Sequence, residues 1–227
     1  MYRVLNIMLA MLLGAATARA SPWWVSWSGD SYPESEGWLH YATDPPAQRW
    51  LEDGKLFIDS RADWYIYDIY SQYRPGEMTL GPQEKVVGHW RIKVDDIIPA
   101  GSQVPGLGVA SDDQWEVSFI LGVDKIISGY EPGNWAAFEP GVFHEFYFES
   151  SDMRTYTLSI DGSPALEGDF FESFAYGPGI GWGHITSHKG LSEWDFVECG
   201  IVPEPGALSC MLAGFCILGL LRRSAAH

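Results

Sequence analysis

Apolar and polar residues alternate with a period of two along several short stretches of this chain, and clusters of glycine, proline and aspartate separate them. Over Val86 to Val94, Trp90, Ile92 and Val94 share one face against Arg91 and Lys93. Trp115, Val117, Phe119 and Leu121 do the same against Glu116 and Ser118, the pattern of a half-buried strand. Phe146 and Phe148 alternate with Glu145, Tyr147 and Glu149; Tyr156, Leu158 and Ile160 alternate with Thr155, Thr157 and Ser159. The last run ends in Asp161-Gly162, a dipeptide that tolerates the positive φ angles of a tight hairpin. Lys55 to Asp59 and Trp64 to Tyr70 are rich in aromatic and β-branched residues and read as further strands. With no convincing long helix, the pattern predicts an all-β domain, a two-sheet antiparallel β-sandwich.

The two ends follow a different pattern. Met1-Tyr2-Arg3, the apolar stretch Val4 to Ala16 and the small residues of Ala18-Arg19-Ala20 make a secretory signal peptide over residues 1–20. At the other end, Val202-Pro203-Glu204-Pro205 precedes an apolar run, Ala207 to Leu221, and then Arg222-Arg223. As a helix the run reaches about 23 Å at about 1.5 Å per residue. That is short of a hydrocarbon core of about 30 Å and asks for snorkelling arginines or local thinning. The arginine pair places its end in the cytoplasm and everything before it outside. The domain expected to fold is then 21–201, followed by a terminal segment 202–227 with a transmembrane stretch at 207–221.

The triplet Pro203-Glu204-Pro205, the short apolar run and the terminal Arg222-Arg223 together resemble a PEP-CTERM sorting signal. That resemblance implies an exosortase-type membrane peptidase as partner, cleavage near the triplet, and export to the envelope, surface or matrix of a Gram-negative bacterium that makes exopolysaccharide.

Removing both ends sharpens the charge. Of 14 basic residues Arg3, Arg19, Arg222 and Arg223 fall away, and of 30 acids only Glu204, leaving ten against twenty-nine, or a net charge of −19. A field of that sign repels nucleic acid and anionic lipid, and a nucleic-acid role is set aside. Cys210 and Cys216 lie in the terminal segment, so Cys199 is alone in the domain and neither an internal disulfide nor a thiolate zinc cluster can form.

Asp53-Gly54-Lys55-Leu56, Tyr156 to Gly162 and the closing Trp194-Asp195-Phe196-Val197 also resemble, in order and spacing, the concanavalin A-like lectin/glucanase jelly roll in its laminin G-like form. Such domains mostly bind glycans or proteins, and some hydrolyse polysaccharide. The hydrolase alternative has a concrete form here, because Glu193, Asp195 and Glu198 spell the Glu-x-Asp-x-x-Glu of laminarinase-type glucanases. On a regular strand Glu193 and Asp195 share a face while Glu198 points away, unless a bulge intervenes. The motif also closes the domain, where the family has it on an interior strand. A structural role for the acids is therefore expected, with no catalytic residue.

Other chemistry is sparse. His184 and His188 are four apart, but Gly179, Gly181, Gly183 and Gly190 argue against the helix that would bring them together on a metal. Asp95-Asp96 and Asp112-Asp113 are oxygen donors suited to calcium, without a ligand pattern. No cofactor is expected. All 11 tryptophans lie in the domain, and most belong to its core; Trp135 and Trp182, flanked by turn residues, are the candidates for rings displayed to a sugar. The reading is an exported, non-catalytic surface or matrix protein contacting polysaccharide or another envelope component.

Overall fold

The computed structural model describes residues 23–62, 68–73, 80–98, 104–110, 115–129, 131, 133–172, 179–184 and 189–203. The strands, numbered β1 to β16 in chain order, form two antiparallel sheets packed face to face, and the described residues include no α-helix. The first sheet runs β13 (Ser163–Asp169), β12 (Thr155–Ile160), β11 (His144–Ser150), β6 (Glu84–Ile98), β16 (Lys189–Pro203), β4 (Lys55–Asp59) and β3 (Gln48–Glu52). Alongside them β1 (Trp24–Trp27) pairs with β16. The second runs β10 (Trp135–Ala137), β9 (Lys125–Ser128), β8 (Trp115–Leu121), β7 (Pro105–Ala110), β15 (Gly179–His184), β5 (Asp68–Tyr73) and β2 (Leu39–Ala42), with β14 (Phe171–Glu172) paired to β8.

The alternation read from the sequence is what closes the sandwich. Trp90, Ile92, Phe146, Phe148, Tyr156 and Leu158 face inward from the first sheet and meet Leu107, Val117, Phe119 and Leu121 from the second. Trp90 stacks on Phe146 at 5.3 Å between ring centroids and lies 6.0 Å from Phe119. Full burial of one such side chain stabilises the fold by about 1.5–3 kcal/mol. Two Asp-Gly pairs make the tight hairpins: Asp161 and Gly162 have φ of 50° and 76° between β12 and β13, and Asp53 and Gly54 have 51° and 70° between β3 and β4.

Two details differ from the sequence reading. Glu116 and Ser118, expected on a solvated face, are buried; their side of β8 is shared with a broad lane of neighbouring strands described below. β16 runs on through Val202 and Pro203, paired with Lys85 and Glu84, so the break expected at Val202 does not begin before Glu204. Pro203 occupies the last position of the strand, where a missing donor costs least. Of the strand expected at Trp64 to Tyr70, Asp68 to Tyr70 are described, as the start of β5. Residues 1–20, Glu204, Pro205, the 207–221 run, Arg222 and Arg223 all lie outside the described residues; no described helix is long and apolar enough to cross a membrane.

Candidate functional site

The acid motif on β16 contains a bulge. Trp194 pairs with Ile92 and Phe196 with Arg91, leaving Asp195 as an extra residue. Buried positions accordingly switch from Ser192 and Trp194 before it to Val197, Cys199 and Ile201 after it. Glu193, Asp195 and Glu198 thereby share the outer face of the first sheet, which a regular strand would forbid. Each is then held by a base. Glu193 is bound to Lys93, which also lies 2.9 Å from Asp95, and Asp195 is bound to Arg91. Glu198 sits 3.3 Å from Nδ1 of His89, whose Nε2 is 2.7 Å from Glu145. The Phe143 ring covers the row, its centroid 4.9 Å from the Arg91 guanidinium, 5.8 Å from the Lys93 ammonium and 5.7 Å from that of Lys55. Burial pushes the Glu193 carboxyl above its ordinary value against the pull of Lys93. Past the bulge, Glu193 and Glu198 stand about four strand steps, or about 13 Å, apart along the backbone. Arg91 stands between their partners on β6.

The outer face of the second sheet is built differently. One row of paired residues crosses all seven strands: Tyr41, Ile69, Gly183, Gly106, Ile120, Ile127 and Trp135. The adjacent row is Leu39, Ser71, Gly181, Gly108 and Ser118, and the next brings Gly179 beside Ala110 and Glu116. On the two central strands, β15 and β7, every outward position in these rows is therefore glycine or alanine. The result is a lane without side chains beyond a methyl group, walled by Ile69, Leu39 and Tyr41 on one side and by Ile120, Ile127 and Trp135 on the other. Between β5 and β8 it is about 14 Å wide at about 4.8 Å per strand. At the rims Tyr41 is 50% exposed and Trp135 55% exposed. Trp135 is thus the displayed ring the sequence suggested, and Tyr41, which carried no turn signal, is a second.

Trp182 is not displayed. Its side chain has 0% exposure, packed among Trp27, Trp38, Tyr70 and Trp194 with ring centroids 4.7 to 5.8 Å away. The flanking glycines mark the lane on the opposite face of β15, not a turn. His184, two residues on, is also enclosed: Nδ1 is 2.9 Å from the Ser60 hydroxyl and Nε2 2.8 Å from that of Ser192. Burial lowers its pKa to about 3. His188 and Asp112-Asp113 lie outside the described residues; Asp95 and Asp96 are engaged by Lys93 and Arg61, and no cluster of three metal-ligating side chains occurs among the described residues. Burial also raises the Cys199 thiol far above its ordinary value, which keeps it protonated and inert. An open depression of about 710 Å³ on the first sheet, over β6, β11, β12 and β13, is lined by Lys85, Glu149, Thr155, Thr157, Glu167 and Asp169. Within it Lys85 is bound to Glu149 and Thr155 to Asp152.

No family model matches the chain, and no curated protein matches its sequence. Similarity is found among solved structures. A carbohydrate esterase of the Shiga toxin-encoding bacteriophage phi24B superposes with a TM-score of 0.55 at 12% identity, over 78% of this chain and 97% of the other. An endo-1,3-beta-glucanase from Streptomyces sioyaensis gives 0.52 at 14% identity, over 82% and 100%. A Bacillus subtilis protein with a galectin-like fold gives 0.52 at 11% identity, over 82% and 98%. These likenesses establish a jelly-roll sandwich of the kind found in glucanases and galectin-like proteins.

Proposed function

We propose that this chain is an exported, non-catalytic surface or matrix protein that contacts polysaccharide through the glycine-floored lane of its second sheet. The observation that carries the reading is the row from Tyr41 to Trp135, in which two exposed aromatic rings bracket three isoleucines and two glycines. Aromatic faces stack on sugar rings, and a floor without side chains lets a chain approach the backbone. The fold shared with carbohydrate-directed proteins agrees with this. Exposed Trp135→Ala is expected to weaken binding by about 1 kcal/mol or more, read by retardation in polysaccharide-containing gels, and wild-type retention by the variant counts against the lane.

The second reading, a laminarinase-type hydrolase using Glu193 and Glu198, gains one specific observation, the bulge that puts both on a single face. A retaining glycosidase needs carboxyl groups about 5–5.5 Å apart and an inverting one about 6.5–9.5 Å. Here Glu193 is paired with Lys93 and Asp195 with Arg91, Glu198 lies beside His89, and Phe143 lies over the Lys93 and Arg91 cations. No reducing ends should be released from laminarin, agar or carrageenan, and turnover that disappears in Glu193→Gln would establish the hydrolase instead.

For localisation, the reading is export by the signal peptide and sorting by an exosortase-type peptidase at the Pro203-Glu204-Pro205 triplet, with the membrane touched only by the 207–221 segment before processing. Host exopolysaccharide is the natural glycan partner. Mass spectrometry of the exported protein should find a form beginning near Ser21 and ending near Pro203; a form retaining residues 207–221 would remove the sorting step.

A further inference from the structure

Among the described residues, nothing requires glycine at two positions of the lane. Neither Gly108 nor Gly181 has a positive φ. A Cβ built on Gly108 meets nothing nearer than the Val117 carbonyl oxygen at 3.6 Å, and one on Gly181 nothing nearer than Cγ2 of Ile69 at 3.7 Å. Among the described residues, every atom within 4 Å of either point belongs to a neighbouring strand of the same sheet. Gly183 is the contrast: its φ is 120° and a Cβ there would lie 2.3 Å from the Asp68 carbonyl oxygen. Glycine inside a strand is less stable than alanine, and where the backbone does not demand it, it marks close approach by something else.

A second observation lies in the same row. Ser71 pairs with Gly181 from β5 and is only 6% exposed, and its hydroxyl makes no hydrogen bond among the described residues. Tyr70, on the other face of β5, is in the core, so alternation directs Ser71 toward the lane. A buried hydroxyl without a partner is costly to leave unmade, and a ligand hydroxyl placed on the floor beside it would supply the missing bond.

Resting on the reading of the lane as a glycan site, we propose that Ser71, Gly181 and Gly108 form the floor of a subsite for one uncharged sugar residue of a linear polysaccharide. The Ser71 hydroxyl exchanges a hydrogen bond with a ring hydroxyl, and the sugar lies flat on the backbone of β15 and β7. The class follows from what the row offers. Leu39, Ser71, Gly181, Gly108 and Ser118 contain a hydroxyl pair and bare backbone but no charge. A domain of net charge −19, counted over 21–203, disfavours uronate or sulfate chains.

The test uses the full chain and gels containing laminarin, agarose or dextran as neutral probes, with alginate and carrageenan as anionic ones. Expected are retention by at least one neutral polysaccharide, none by the anionic pair, and a tenfold or greater loss in Gly181→Val and in Gly108→Val. Ser71→Ala should lose about threefold to tenfold in affinity, the size of one hydrogen bond. Gly181→Ala should melt no lower than the wild type, because its methyl group has room; a fall in Tm would show a structural glycine and overturn the subsite. Wild-type affinity in Gly181→Val, with Trp135→Ala still weakened, overturns the subsite and leaves the lane's aromatic rim as the glycan site. No retention of the wild type on any gel, or binding of an extended peptide alone, overturns the glycan reading itself.

Discussion

Trp182→Ala is expected to lower the stability of the domain by about 3–5 kcal/mol, the range for removing a buried tryptophan. The ring is the centre of an aromatic cluster drawn from both sheets and from the chain's start: Tyr70 at 4.7 Å, Trp194 at 4.8 Å, Trp27 at 5.2 Å and Trp38 at 5.8 Å. None of these neighbours can swing into the gap without leaving its own contacts, because interiors are packed to crystal-like density. Against a typical domain stability of about 5–15 kcal/mol this is a large share. The control is Trp135→Ala, a change of the same size at a ring 55% exposed, where a change within about 0.5 kcal/mol is expected. Urea unfolding followed by circular dichroism reads both. Equal losses in the two variants would mean that the enclosed and displayed rings have been assigned the wrong way round.

Those two tryptophans also show what sequence can and cannot reveal here. Period-two alternation located β6, β11 and β12 because one side of each meets the partner sheet and burial is written into every second residue; on β8 it located the inward face alone, since Glu116 and Ser118 on the other side are buried too. Around Trp182 the glycines on either side of the ring resemble a turn. The same residues, Gly179, Ile180, Gly181, Trp182, Gly183 and His184, obey strict alternation once the glycines are taken as an outer face. That face becomes a lane only because Gly106 and Gly108 of β7 fall in register beside it, a long-range pairing that no local window contains. The bulge at Asp195 had a faint local trace. Trp194 and Val197 are both apolar and three apart, and Cys199 and Ile201 continue from the second, so the inward parity changes within the motif. The side chains that hold the three acids, Lys93, Arg91 and His89, come from β6, about a hundred residues earlier, and no window around the motif contains them.

Acidification from pH 6.5 to 4.5 should cost the domain about 2–3 kcal/mol through His184 alone. The ring joins the sheets: it leaves β15 in the second and lies between Ser60, which follows β4, and Ser192 of β16 in the first. Ser192 also accepts the indole N–H of Trp194 at 3.0 Å, so the aromatic cluster and the histidine share a hydroxyl. Burial is the chief cause of the shift, and the nearby Asp59 carboxylate opposes it without compensating. With a folded value of about 3 against about 6.5 unfolded, the unfolded chain takes up the proton first as pH falls. The stabilisation is thus complete above about pH 6.5 and is lost progressively down to about 3, at about 1.4 kcal/mol per pH unit. Carboxylates held below their ordinary values, such as Asp59 by Arg61 and Asp161 by the Glu145 backbone N–H and then His144, add their own losses at lower pH. Asp68 and Glu193, raised by burial, act in the opposite sense. Comparison of wild type with His184→Gln, which takes up no proton in this range, isolates the histidine. The wild-type urea midpoint should fall more steeply than that of the variant between pH 6.5 and 4.5, and parallel curves would show that His184 is not the neutral, enclosed group its hydroxyl partners define.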